Sequence, residues 1–142
     1  MELFKLFLTF LVGFATIVVG DVIWLWYVMR DFIVRSFWDL IVVENGSAQI
    51  NLGVGLGAWA VIVVMTMIFV TKSGYASSVS SALWYGAILG LCLYGVYDLT
   101  NLTFLKNYSV TFAMVDIVWG WVICALVSLT MYLFSNFINK VL

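Results

Sequence analysis

Residues 6–28 of the chain are LFLTFLVGFATIVVGDVIWLWYV, an apolar run that contains one charged side chain, Asp21. An α-helix needs about 20 apolar residues to cross a hydrocarbon core roughly 30 Å thick. Lys5 precedes the run, as a basic residue precedes the apolar part of a secretion signal. The run is too long for such a signal, however, and it lacks a small-x-small cleavage site. We therefore expect a retained first transmembrane helix.

Three further apolar runs complete the predicted fold class, an all-α integral membrane four-helix bundle. The predicted spans cover residues 6–28, 52–70, 82–105 and 110–134. The composition agrees, because the 142 residues are 65% hydrophobic and 9% charged, with a mean hydropathy of +1.17. A soluble domain is about a quarter charged. Lipid must therefore surround most of the chain, and we expect a single transmembrane domain over residues 1–142.

The long connection between the first two spans predicts an interfacial amphipathic helix over about residues 31–43. Asp31, Arg35 and Asp39 recur every four residues among aromatic and aliphatic side chains, which places them on one helix face. The segment is too short and too charged to be a fifth span. Such a helix is typical of the membrane interface, and we expect its three charged residues to face water.

Glycine spacing predicts where helices pack closely. Gly53 and Gly57 in the second span, and Gly86 and Gly90 in the third, are each four residues apart. This spacing leaves a flat helix face that a second backbone can approach. The chain contains no proline, so we expect no proline kinks.

Several classes of site are excluded by the residue types present. The chain has no histidine, which removes imidazole haem ligation, most zinc and copper sites, and His-based catalytic triads. A net charge of −1 gives no reason to expect a nucleic-acid partner. Cys92 and Cys124 lie inside apolar runs, and we interpret them as packing residues. We predict no metal site and assign no catalytic residue or cofactor.

Three aspartates lie inside the predicted spans, where each costs about 2.5–3.5 kcal/mol at the centre of a helix. Asp21, Asp98 and Asp116 are each about 10 Å from the nearer end of their helix, at 1.5 Å of rise per residue. Four antiparallel spans place these three helix ends on the same side of the membrane. We therefore expect one polar layer in one leaflet, which Asn51 and Asn101 also join.

Two interpretations of this layer stay open. In one, the aspartates are structural acceptors for Trp and Tyr donors, including Tyr94 and Tyr97. In the other, they line a pocket for a headgroup, a cation or a proton. Three ionised carboxylates so close together would repel, so at least one is protonated unless a cation joins them. Arg30 is the candidate for that cation.

A short sequence repeat links the first and fourth spans. Asp21-Val-Ile-Trp24-Leu-Trp26 is nearly matched by Asp116-Ile-Val-Trp119-Gly-Trp121, and the Asp and first Trp of each copy share a helix face. The repeat is either a relic of a two-helix duplication or a coincidence in a Trp-rich chain.

The runs YGVYDLTNLT at residues 94–103 and VDIVWG at residues 115–120, with the early Asp21-Val-Ile-Trp24, resemble a mainly bacterial family of small four-span predicted membrane proteins. The resemblance covers nearly the whole chain and implies the four-span fold but no activity. The aromatic residue usual early in the second span is not obvious here, and Trp59 is its candidate replacement. The shared motif residues are Asp21, Trp24, Tyr97, Asp98, Asn101, Asp116, Trp119 and Gly120.

These observations favour a membrane protein that binds a lipid-like or isoprenoid ligand, or a cation, in an acidic and aromatic pocket. The candidate pocket residues are Asp21, Trp24, Tyr97, Asp98, Asn101, Asp116 and Trp119. One alternative is a structural or assembly subunit, and another is a membrane-embedded enzyme that acts on lipids. The expected partners are membrane lipid, a hydrophobic small molecule, and a homo-oligomer or larger membrane complex. The expected location is the bacterial inner (plasma) membrane, in an orientation that evenly distributed basic residues leave undetermined.

Overall fold

The computed structural model describes residues 1–37, 41–45 and 47–141, which form mainly long helices. Helix α1 (Glu2–Ile23) continues as a π-helical segment (Trp24–Val28) and is followed by a short helix, α2 (Arg30–Phe37). Two short strands follow, β1 (Val43–Glu44) and β2 (Ser47–Ala48). Helix α3 (Leu52–Thr66) then continues as a second π-helical segment (Met67–Lys72). The last two helices are α4 (Val79–Phe104) and α5 (Val110–Val141).

Four helical segments of the described chain are long and apolar enough to cross a membrane: Glu2–Val28, Leu52–Lys72, Val79–Phe104 and Val110–Val141. The predicted fold class, an all-α membrane bundle with four long apolar helices, is confirmed. Helices suit this solvent because each satisfies its own backbone hydrogen bonds without water.

Helix α5 is the centre of the bundle, because it packs against α4, α1 and α3. The side chains at this centre are fully buried, and they are Ile17, Val63, Ile123, Cys124, Val127 and Met131. Two polar contacts also join helices: Thr16 Oγ1 lies 3.0 Å from Thr130 Oγ1, and Ser128 Oγ donates to the Ala82 carbonyl at 2.7 Å. Cys124 is a packing residue as expected, whereas Cys92 is exposed on the outside of the bundle.

The glycine prediction is confirmed for α4. A Cβ atom at Gly86 would lie 2.5 Å from Ser128 Cβ and 2.6 Å from the Cys124 carbonyl oxygen. A Cβ atom at Gly90 would overlap the carbonyl oxygen of Gly120. The same prediction is wrong for α3 among the described residues, because a Cβ at Gly57 would meet none of their atoms within 4 Å, and one at Gly53 would meet only the nearby Asn51 side chain.

The connection between the first two spans differs from the helix expected over residues 31–43. Helix α2 ends at Phe37, and Val43 lies in a strand whose partner is Ala48. The physical reason is a turn at Asn45, which has a positive φ of 51° and precedes Gly46 in the Asn-Gly pair typical of tight hairpins. Asp31 and Arg35 are exposed as expected, and Asp39 lies outside the described residues.

Candidate functional site

Asp21 is the acceptor of two indole hydrogen bonds. Its side chain is buried near the end of α1, where Trp119 Nε1 of α5 donates to Oδ1 at 2.7 Å. Trp59 Nε1 of α3 donates to Oδ2 at 2.5 Å. An indole N–H can only donate, so Asp21 satisfies two buried donors from two different helices. At this position the structural interpretation of the aspartates is well supported.

Trp24 and Trp119 stack on one another beside Asp21. Their ring centroids are 4.4 Å apart and the ring planes differ by 4°, an offset-stacking distance that adds roughly 0.5–1.5 kcal/mol to the burial of the rings. These two residues are the first tryptophans of the repeated Asp-x-x-Trp-x-Trp pattern. The two copies of the pattern therefore contact each other through their first tryptophan rings. Asp21 of the first copy also accepts the indole hydrogen bond of Trp119 in the second copy.

Asp98 and Asp116 form a second acidic group. Asp98 lies on α4 with none of its surface exposed, and Tyr108 donates its hydroxyl proton to Asp98 Oδ1 at 2.6 Å. The side chains of Asp98 and Asp116 interact with each other. Among the described residues, Asp98 Oδ2 has no donor partner. Two carboxyl groups from neighbouring helices therefore face one another.

Tyr108 lies in the connection between α4 and α5 and closes the acidic pair on that side. Its ring packs against Phe37 of α2 at a centroid distance of 5.3 Å and against Phe112 of α5 at 6.1 Å. Burial, and then the hydrogen bond to Asp98, raise the pKa of Tyr108. The phenol therefore stays protonated and keeps donating to Asp98.

Tyr94 lies on α4 and packs against the buried core of the bundle. It interacts electrostatically with Asp21, Asp116 and Asp98. Its position depends on Gly120, because a Cβ atom there would overlap the Tyr94 ring. This overlap gives a packing reason for glycine directly after Trp119.

The structure brings several of the predicted pocket residues into contact in two groups, and one pocket shared by all of them stays a prediction. Asp21, Trp24 and Trp119 form one cluster, and Asp98 and Asp116 form another. Asn101 is half-buried, and its side chain interacts with that of Tyr108. Tyr97 is 60% exposed.

Sequence reasoning left two partners of the acids out of the predicted pocket. Trp59 lies seven residues after the start of α3, a depth close to that of Asp116 in α5, so the depth arithmetic could have found it. Tyr108 lies outside every predicted span. No spacing or composition signal points to its contact with Asp98.

A separate cavity of about 330 Å³ lies between α1, α2 and α3, with Trp59 in its wall. Its walls are almost entirely apolar and include Val22, Leu25, Trp26, Ala58 and Trp59. Among the described residues, Arg30 and Asn51 are the polar ones of the lining. Asn51 also caps α3, because its side chain accepts from the Val54 amide at 3.2 Å.

Within the described part of the chain, no group of three or more Cys, Asp or Glu side chains is arranged to hold a metal ion. The polar contacts of the site therefore consist of carboxyl, indole, phenol and amide groups.

The fold and site define a small multi-pass integral membrane protein with acids buried in its bundle. The family described as "Predicted membrane protein (DUF2177)" matches residues 6–133, and the chain belongs to this family. The resemblance inferred from the sequence motifs is thereby confirmed. No curated protein and no solved structure matches the chain.

Proposed function

We propose that this membrane protein binds a lipid-like amphiphile, of the isoprenoid or acyl type, in the cavity between α1, α2 and α3. The observation that carries the proposal is the cavity itself, about 330 Å³ of space with apolar walls and two polar residues. Small-molecule sites are typically clefts of about 300–1,000 Å³ that are mostly apolar, with a few polar groups that orient the ligand.

The lining indicates how such a ligand would lie. Leu25, Ala58 and the rings of Trp26 and Trp59 supply apolar contact for a hydrocarbon body. Arg30 is part of the lining, and a guanidinium group pairs well with phosphate or carboxylate oxygens. A polar head at Arg30 and Asn51 would lie near the start of α3, close to the membrane surface, with the body directed along Trp59.

The binding wall is held in place by the Asp21 cluster. Trp59 lines the cavity and at the same time donates its indole proton to Asp21. The buried aspartate therefore orients an aromatic wall rather than contacting the ligand. This division of roles revises the expected acidic pocket, in which the aspartates themselves faced the ligand.

The resemblance to a mainly bacterial family supports a location in the bacterial plasma membrane.

Gly55→Leu is expected to reduce binding roughly tenfold or more, equivalent to about 1.4 kcal/mol. Gly55 lines the cavity, and a Cβ atom there would meet no other atom within 4 Å, so the added side chain would occupy ligand space without straining the helix. The measurement is photolabelling of the purified protein with a diazirine-bearing isoprenyl phosphate. The same probe without phosphate tests the contribution of Arg30.

Gly57→Leu is the matched control. Gly57 also lies on α3 with open space around a Cβ atom, but it is not part of the cavity lining. Labelling should be unchanged in Gly57→Leu. Equal labelling of both variants and the wild type would show that the probe binds elsewhere, and the proposal would then be wrong.

A further inference from the structure

The hydrogen bonding of the Asp98 and Asp116 carboxyl groups is incomplete. Asp98 Oδ1 accepts the Tyr108 hydroxyl, whereas the fully buried Asp98 Oδ2 has no donor among the described residues. The Asp98 side chain also interacts with that of Asp116. An ionised carboxylate can only accept hydrogen bonds, so two ionised carboxyls could not bond to each other without something positive between them.

A shared proton is the occupant that the surroundings favour. In the described part of the chain, neither carboxyl forms a salt bridge with a lysine or arginine. A divalent cation such as Ca²⁺ would need six or more oxygen ligands, and the pair has no third carboxylate arranged with it for a metal. Two interacting carboxyls in a medium of low dielectric cannot both be ionised, as in carboxylate dyads that share one proton.

The other titratable groups near the Asp98–Asp116 pair also favour a proton between the two carboxyls. Helix α1 contributes Asp21, and α4 contributes Tyr94, which interacts with all three aspartates. The α4–α5 connection contributes Tyr108. Helix α2 packs on that connection through Phe37, while its Asp31 and Arg35 side chains are exposed. Asp21 also interacts electrostatically with Asp116, so a carboxylate there would add to the repulsion between two ionised groups at the pair.

A route for exchange is present at Tyr108. This residue is half-buried and lies in the connection between two spans, so its surroundings border the membrane surface. Its hydroxyl contacts Asp98 directly, and its side chain interacts with that of Asn101. A proton that leaves the pair can therefore move along polar side chains to the aqueous phase, which is a short distance away.

We propose that Asp98 and Asp116 form a binding site for one exchangeable proton, reached from the α4–α5 connection past Tyr108. The site holds the proton between Asp98 Oδ2 and the Asp116 carboxyl, with Tyr108 donating to the opposite oxygen. Release sends the proton to water and leaves two carboxylates, which are then stabilised only by Tyr108. This proton site rests on contacts that the amphiphile cavity does not share.

The test is infrared spectroscopy of the purified protein in vesicles during pH titration. The wild type should show the carbonyl stretch of a protonated carboxylic acid at neutral pH, and the band should shift in D₂O. Asp98→Asn and Asp116→Asn should each remove most of this band, because the new amide group donates to the remaining carboxylate in place of the proton. Tyr108→Phe should keep the band to higher pH, because the donor that favours the ionised state is lost.

Two controls separate this result from other causes. Asp31→Asn changes an exposed acid on α2 and should leave the band unchanged, as should Gly55→Leu, which tests only the amphiphile cavity. If the wild type has no protonated-acid band at neutral pH, the proposal is wrong, even if a variant fails to fold. A band that disappears when Na⁺ replaces choline would also overturn it, because the occupant would then be a metal cation.

Discussion

Gly90→Leu is expected to destabilise the protein by about 3 kcal/mol or more, at the upper end of the usual cost of overpacking. A Cβ atom at Gly90 would overlap the Gly120 carbonyl oxygen and lie 2.8 Å from Cys124 Cβ. A carbonyl oxygen in the middle of α5 cannot rotate away as a side chain can. The two helices would have to separate, and in lipid their association depends on this close packing.

The measurement is the loss of helical circular dichroism on heating or on titration with a denaturing detergent. Gly57→Leu provides the matched control, since it adds the same side chain to α3 where no neighbouring atom lies within 4 Å. We expect Gly57→Leu to unfold close to the wild type. If Gly90→Leu did so too, α4 and α5 could not be in contact at Gly90 and Gly120.

Asp21→Ala is expected to be the second most damaging substitution, with a loss of about 2 to 6 kcal/mol in the free energy of unfolding. It leaves two indole donors, Trp59 Nε1 and Trp119 Nε1, without acceptors. Each buried unsatisfied donor costs about 1–3 kcal/mol. Asp21→Asn should be intermediate, because its amide keeps one acceptor oxygen.

A double-mutant cycle tests the physical cause of this loss. Trp59→Phe removes one of the stranded donors, so the cost of Asp21→Ala should be smaller in the Trp59→Phe background. Asp31→Ala on the exposed face of α2 is the control for removing an aspartate. Strict additivity of Asp21→Ala and Trp59→Phe would contradict the hydrogen bond between these residues.

The fold class could be predicted from the sequence because it depends on one property averaged over many residues, the hydropathy of each helix. A run of about 20 apolar residues has few alternatives to a membrane-spanning helix. The glycine pairs show the limit of such reasoning. Gly86 and Gly90 contact α5, while Gly53 and Gly57 have the same spacing and contact no other helix of this chain. Spacing shows which helix face is flat, but not whether another helix lies against it.

Residue counting predicts the depth of the candidate site residues in the membrane, but not the rotation of each helix about its axis. Counting residues from the helix ends predicts that Asp21, Asp98 and Asp116 lie near one level, and this common depth stays a prediction. The count carries no information on which way each helix is turned. For this reason the pairing of Asp98 with Asp116, and of Asp21 with Trp59, could not be inferred. The hairpin at residues 43–48 was missed for a different reason, because a helical periodicity outweighed the Asn45-Gly46 turn signal.

The stacked indoles of Trp24 and Trp119 have an optical consequence. Two parallel chromophores whose centroids are 4.4 Å apart share their electronic excitation, and in a chiral setting such coupling splits a circular dichroism band into two lobes of opposite sign. Trp24 directly follows α1 and Trp119 lies on α5. The split signal therefore requires these two segments to be in contact beside Asp21. The protein therefore carries an intrinsic, label-free reporter of that contact, one that Trp24→Leu or Trp119→Leu should abolish.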